Sequence, residues 1–141
     1  MGNICRSPTA EEVLRVHARR AGLGLHLDSA GTENYHVGEP PDERSIRHAA
    51  LRGYDLSGLR ARQVGPDDFR DFDLLLAADT LNLGVLRDRC PPEHRGKLAL
   101  FLGDRPLPDP YYGEATDFEK VLDLVEKRVD SLIADWSRAT D

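Results

Sequence analysis

Short apolar runs alternate with segments whose apolar residues recur at helical spacing, and this alternation confines the chain to a parallel sheet flanked by helices. The clearest segment is the last, where Phe118, Val121, Leu122, Val125, Val129, Leu132, Ile133 and Trp136 hold one apolar stripe. Leu74 to Ala77 and Leu98 to Leu102 are continuous apolar runs, the pattern of strands covered on both faces. Leu25 to Ser29 alternates apolar and polar residues and predicts a short strand. Ser7-Pro8 predicts the start of the first helix, with Ser7 as its cap; Ala10, Val13, Leu14 and Ala21 follow at helical spacing and Gly22 closes it. Asp42 and Thr80 predict the caps of two further helices, one carrying Ile46, Ala49 and Ala50 as far as Gly53, the other Leu83 and Leu86. A proline-rich loop runs from Gly103 to Gly113. The expected fold is an α/β three-layer sandwich.

A chain of 141 residues suits a single domain spanning 1–141, and with 40% hydrophobic residues it can bury a core without metal or disulfides. The formal net charge of −6 argues against nonspecific binding to nucleic acid or an anionic membrane, while leaving room for a local basic pocket. No apolar run reaches the roughly 18 residues of a membrane span, and no signal segment opens the chain. Two cysteines make no disulfide framework, so a cytoplasmic setting is expected. His17, His26, His48 and His94 form no cluster with metal-ligand spacing. No metal or cofactor is expected.

Two runs carry chemistry. In Gly2-Asn3-Ile4-Cys5-Arg6-Ser7-Pro8, a glycine allows a sharp turn and the following amides can converge on an anion at a helix start. Arg6 adds a planar fork that matches two phosphate oxygens. The same residues also read as an ordinary helix start with a surface arginine. In Pro108-Asp109-Pro110-Tyr111-Tyr112-Gly113, prolines limit how Asp109 can point and two tyrosines offer flat surfaces beside it. A carboxylic acid there could protonate a leaving oxygen, although Asp, Pro and Gly are also plain turn residues.

Together, in this order, the runs resemble the low-molecular-weight protein-tyrosine phosphatases. The opening matches that family's phosphate loop and first helix, and Asp109 to Gly113 matches its general-acid loop. Asp28 to Thr32, Tyr35 to Gly38 and Arg60 to Val64 match between them. The resemblance implies a phosphotyrosine or aryl phosphate substrate, inorganic phosphate as product, and a phosphocysteine intermediate. It assigns Arg6 to the phosphoryl oxygens and Asp109 to proton donation and then water activation. Gly2, Asn3, Ile4, Cys5 and Ser7 would form the loop around the anion, with Asn3, Ser7 and Ser29 bracing it. Tyr35, Tyr111 and Tyr112 would line the slot; for Tyr35 and Tyr112 an ordinary half-buried aromatic is the other reading. His36, next to Tyr35, could touch substrate. Ile4 stands where tyrosine phosphatases are aliphatic, and the related arginine phosphatases and arsenate reductases are not. An arsenate reductase would need resolving cysteines, and only Cys90 follows.

Two departures matter. In the family, five residues separate the nucleophilic cysteine from the loop arginine, which places it immediately ahead of Met1. The strand that carries it in the family would lie within the sheet, so the expectation is a truncated chain lacking its first central strand, whose complete gene product has an upstream strand ending in cysteine. A phosphate-binding protein without catalysis is the alternative. Cys5, at a helix start beside Arg6, is expected to have a lowered pKa, but its side chain need not face the anion. At Ser57-Gly58-Leu59, where many members brace the loop with histidine, Gly58 or Leu59 cannot supply that hydrogen bond.

Overall fold

The long apolar stripe near the carboxyl end folds as one helix and organises the larger of two cores. The structure is a computed structural model that describes residues 2–140, with side chains described through residue 139, so Met1 lies outside it. The helices are α1 (Arg6–Arg20), α2 (Glu43–Ala50), α3 (Pro66–Asp71), α4 (Thr80–Arg89) and α5 (Ala115–Thr140), with a 3-10 turn at Pro92–Lys97. Strands β1 (Leu75–Ala77) and β2 (Leu98–Leu100) pair in parallel, with Leu75 opposite Leu98 and Ala77 opposite Leu100. Among the described residues the sheet has these two strands. No helix among them is long and apolar enough to cross a membrane.

The period of two along β1 sorts its side chains between layers. Leu76 packs against the core built by α1, α2 and α5, in which Val13, Val125 and Val129 are fully buried. Leu75 and Ala77 face the opposite core, where Leu83 and Leu86 of α4 meet Phe69 and Cys90. Helices on both faces of a small parallel sheet make the expected three layers.

Several local expectations change. Helix α1 begins at Arg6, with Cys5 as its cap residue and no side-chain capping bond, so Ser7 lies inside the first turn. At α4 the cap is Asp79, which accepts from the Asn82 N–H at 2.8 Å; Thr80 is the first helical residue. Asp42 caps α2 as expected, accepting from the Arg44 N–H at 2.9 Å. The expected strand at Leu25–Ser29 does not form. Among the described residues no backbone hydrogen bond joins residues 24–30 to a neighbour, although Gly31 beyond them makes a parallel bridge with Gln63. Alternation alone does not make a strand, because the ladder that defines one needs a partner edge. The Leu98–Leu102 run pairs only as far as Leu100. Leu75 and Leu76 are only half-buried, although their sequence predicted cover on both faces.

Leu122 is 2% exposed within the larger core. Truncation there removes packing that the surrounding helices cannot recover by collapse. Leu122→Ala should therefore lower the unfolding free energy by about 2–5 kcal/mol in urea denaturation.

Candidate active site

The turn before α1 depends on two small residues. Asn3 takes the left-handed conformation, with φ 64°, which Asn tolerates better than most side chains. Gly2 lies against the His36 ring, where a Cβ would collide with it. Beyond this turn, none of the amides of residues 3–7 finds an acceptor among the described residues. These unpaired donors at a helix start are what a tetrahedral oxyanion requires.

Arg6 lies beside them, 5% exposed and anchored on two sides. One guanidinium nitrogen, Nη1, donates to the Leu107 carbonyl at 2.8 Å. The other, Nη2, is 2.9 Å from Asp79 Oδ2 and 3.9 Å from Asp109 Oδ2. The start of α1, the cap of α4 and the proline-rich loop therefore converge on one cation. Burial works against ionisation of Asp79, yet the Asn82 N–H and Arg6 outweigh it and hold its carboxyl below the usual range. Asp79 had no expected role at the site. The cap signature before Leu83 could have pointed to it, but the adjacent Thr80 offers the same signal.

Asp109 is half-exposed, with the neighbouring Pro110 fully buried as an anchor, and its Oδ1 accepts from the Tyr111 N–H at 3.1 Å. A second unforeseen residue, Arg44, holds the far side of this loop. It donates to the Tyr111 carbonyl at 2.8 Å, sits 5.6 Å from the Tyr111 ring centre and pairs with Asp42 at 3.0 Å. Burial disfavours the Asp42 charge, but bonds from Arg44 outweigh this and lower its pKa.

The other expected residues divide. Asn3 through Ser7 share a cleft of about 640 Å³ with Asp109. Tyr111 is half-buried and meets the edge of Tyr112, which is 95% exposed. Tyr35, 59% exposed, packs edge-on against His36 and so reaches the Gly2 turn through that ring. Ser29 contacts the loop through its carbonyl, which accepts from Asn3 Nδ2 at 3.2 Å, while its hydroxyl donates to Glu11 at 2.6 Å. Asn3 Oδ1 is buried without a partner among the described residues. Ser57 turns back to Asp55 in an exposed bend and Leu59 packs on the larger core. Ile4 fixes the loop to α2 by accepting from the Asp42 N–H at 2.8 Å.

Cys5 reverses its expectation. It is 6% exposed, and burial pushes its thiol up to about 11 despite a bond with Ser45. A helix start lowers a thiol pKa only when the sulfur stays near the free amides and water; here the apolar surroundings dominate.

The family model for low molecular weight phosphotyrosine protein phosphatase matches residues 1–140. The chain belongs to that family. The low molecular weight protein-tyrosine-phosphatase of Streptomyces coelicolor is 40% identical over 144 residues, covering 94% of this chain and 87% of its own. The crystal structure of a protein tyrosine phosphatase from Entamoeba histolytica, with Hepes in its active site, superposes with a TM-score of 0.94 at 34% identity, over 100% of this chain and 95% of that one. Wzb of Vibrio vulnificus, solved in complex with benzylphosphonate, gives a TM-score of 0.86 at 28% identity, over 96% and 93%.

Two predictions follow from the phosphatase's charges. Asp79 is ionised at neutral pH and its lowered pKa stabilises the fold there; that contribution fades as pH falls through the lowered value. Asp79→Asn should be less stable than the unmodified phosphatase at pH 7, and their urea midpoints should converge well below about pH 3.9, the ordinary Asp value. Burial and the raised pKa both keep the Cys5 thiol from reacting, so iodoacetamide should label it at least about 100-fold more slowly at pH 8 in the folded phosphatase than in urea.

Proposed function

We propose that Arg6 and the amides of residues 3–7 hold the phosphoryl group of a phosphotyrosine side chain, and that Asp109 protonates its leaving oxygen. The observation that carries this reading is the buried, doubly anchored Arg6 guanidinium, 3.9 Å from the Asp109 carboxylate beside unpaired helix-start amides. Arg6 stabilises charge that builds on the equatorial oxygens, the effect that is usually the largest in catalysis. Gly2 lets the backbone approach, while Asn3, Ser7 and Ser29 support the loop. Tyr35, Tyr111 and Tyr112 offer flat surfaces to the aryl ring. The benzylphosphonate held by the Vibrio vulnificus relative, an arylmethyl phosphonate, supports an aromatic substrate. Residues 1–141 act as one domain, in a cytoplasmic setting that suits two free cysteines.

The chemistry balances in two steps. A thiolate attacks phosphorus as the bond to the tyrosyl oxygen breaks; that oxygen keeps the electron pair and takes the Asp109 proton. Water then attacks the phosphocysteine, gives a proton to the Asp109 carboxylate, and releases inorganic phosphate and the thiolate. The motif's spacing puts the attacking sulfur immediately ahead of Met1. Cys5 does not take this part, because it is buried and protonated.

The test is p-nitrophenyl phosphate hydrolysis by the protein extended ahead of Met1 with an apolar strand ending in cysteine. Turnover is expected. Arg6→Ala should lower kcat by about 10²–10³ and Asp109→Asn by about 10²–10⁴. An extended protein that folds and shifts its residue 2–7 amide signals with tungstate, yet releases no nitrophenol, would instead be a phosphate-binding protein.

A further inference from the structure

We propose that the start of α2 is a clamp that sets the spacing between the anion-binding turn and the loop carrying Asp109, with Arg44 as the positioning residue for Asp109 and for the Tyr111 ring. The proposal rests on the phosphatase reading only for what those two loops hold. On one side, the Asp42 N–H donates to the Ile4 carbonyl at 2.8 Å, and the buried Ser45 bonds the Cys5 thiol. On the other side, Arg44 Nη2 donates to the Tyr111 carbonyl at 2.8 Å. Residues within one helical turn thus grip two loops from opposite ends of the chain.

The Arg44 guanidinium is fixed in plane and in reach. Its Nε and Nη2 meet Oδ1 and Oδ2 of Asp42 at 3.1 and 3.0 Å, a two-pronged pair that holds the fork flat against the carboxylate. The guanidinium carbon lies 4.7 Å from the ring centre of Phe118, which is buried and stacked on His48 of α2. Phe118 therefore cannot yield, and the fork stays aimed at Tyr111. A lysine would keep the charge without the fork.

Arg44 reaches Asp109 through Tyr111. Both backbone polar groups of Tyr111 are engaged, the carbonyl by Arg44 and the N–H by Asp109 Oδ1 at 3.1 Å. Pro110 between them is fully buried, and its carbonyl accepts from the Gly113 N–H at 2.8 Å. Asp109 itself is half-exposed and 3.9 Å from Arg6, so the Tyr111 N–H is its closest fixed partner among the described residues. Releasing the Tyr111 carbonyl lets that residue turn, and the carboxyl and the ring lose their setting together. The anion cradle is anchored elsewhere, since Arg6 is held by Leu107 and Asp79. Loss of the clamp therefore separates aryl recognition from anion binding.

The experiment compares the full chain with Arg44→Lys, which keeps the charge, and with Asp42→Asn, which keeps a capping side chain. Circular dichroism verifies that each variant is folded. Calorimetric titration with tungstate reads the cradle alone, and titration with benzylphosphonate reads the cradle together with the aromatic wall. Both variants should bind tungstate as the unmodified chain does and benzylphosphonate at least about fivefold more weakly. In NMR spectra of the unmodified chain, the Tyr111 amide proton should move as Asp109 titrates, a movement that Asp109→Asn abolishes. Both clamp variants should lose most of it. Residues that only supported stability would lower the urea midpoint and leave both readouts as they are. Unchanged benzylphosphonate affinity, a parallel loss of tungstate affinity, or a surviving Tyr111 titration in either folded variant overturns the proposal. An unmodified chain that binds neither ligand counts against the phosphatase reading alone, and the Tyr111 titration then decides the clamp.

Discussion

A single buried cation ties the site together. The Arg6 guanidinium joins the start of α1 to the Asp79 cap of α4 and to the Leu107 carbonyl of the proline-rich loop, three segments far apart in sequence. An unpaired guanidinium at 5% exposure would be costly, so these partners are conditions for burying it at all. Their arrangement also fixes the guanidinium plane. The carboxylate of Asp109, at the edge of contact, is the partner least committed to it and most open to solvent.

Charge and burial act in opposite directions at neighbouring residues here. Asp79 keeps its charge because a backbone N–H and Arg6 both face it. Cys5, one residue from Arg6 in sequence, is driven towards its neutral form because it is buried among residues of α1, α2 and α5. Adjacent residues on a helix diverge by about 100° around the axis, so sequence neighbours at its start need not share an environment. The loop thus presents its amides and Arg6 to the cleft while keeping its own thiol out of reach.

The sheet is the least complete part of the core. Leu76 and the pair Leu75 and Ala77 separate cleanly between two apolar clusters, so the layers are well defined. Yet among the described residues β1 pairs with β2 alone, and the extended residues opposite it make no ladder. The helical layers therefore span an opening that runs to the turn before α1.

Local chemistry made much of this legible in advance. The stripe from Phe118 to Trp136 could only be an amphipathic helix, and Asp42 capped α2 because its side chain reaches the Arg44 N–H two residues on. The Gly2 to Pro8 and Asp109 to Gly113 runs carried the family because their residue types and order are specific. The alternation at Leu25–Ser29 misled, since a strand is a property of two edges and one segment supplies only one of them. Asp79 rather than the adjacent Thr80 capped α4, and the same carboxylate also meets Arg6. The raised Cys5 thiol, the roles of Arg44 and Asp79, and the orphaned Asn3 oxygen all depend on which side chains meet across long sequence separations. The sequence by itself determined the helix periods, the Asp42 cap and the motifs that carry the family, because those act over a few positions. Only the tertiary structure decided pairing, burial and charge state, because each is set by neighbours that the chain order does not name.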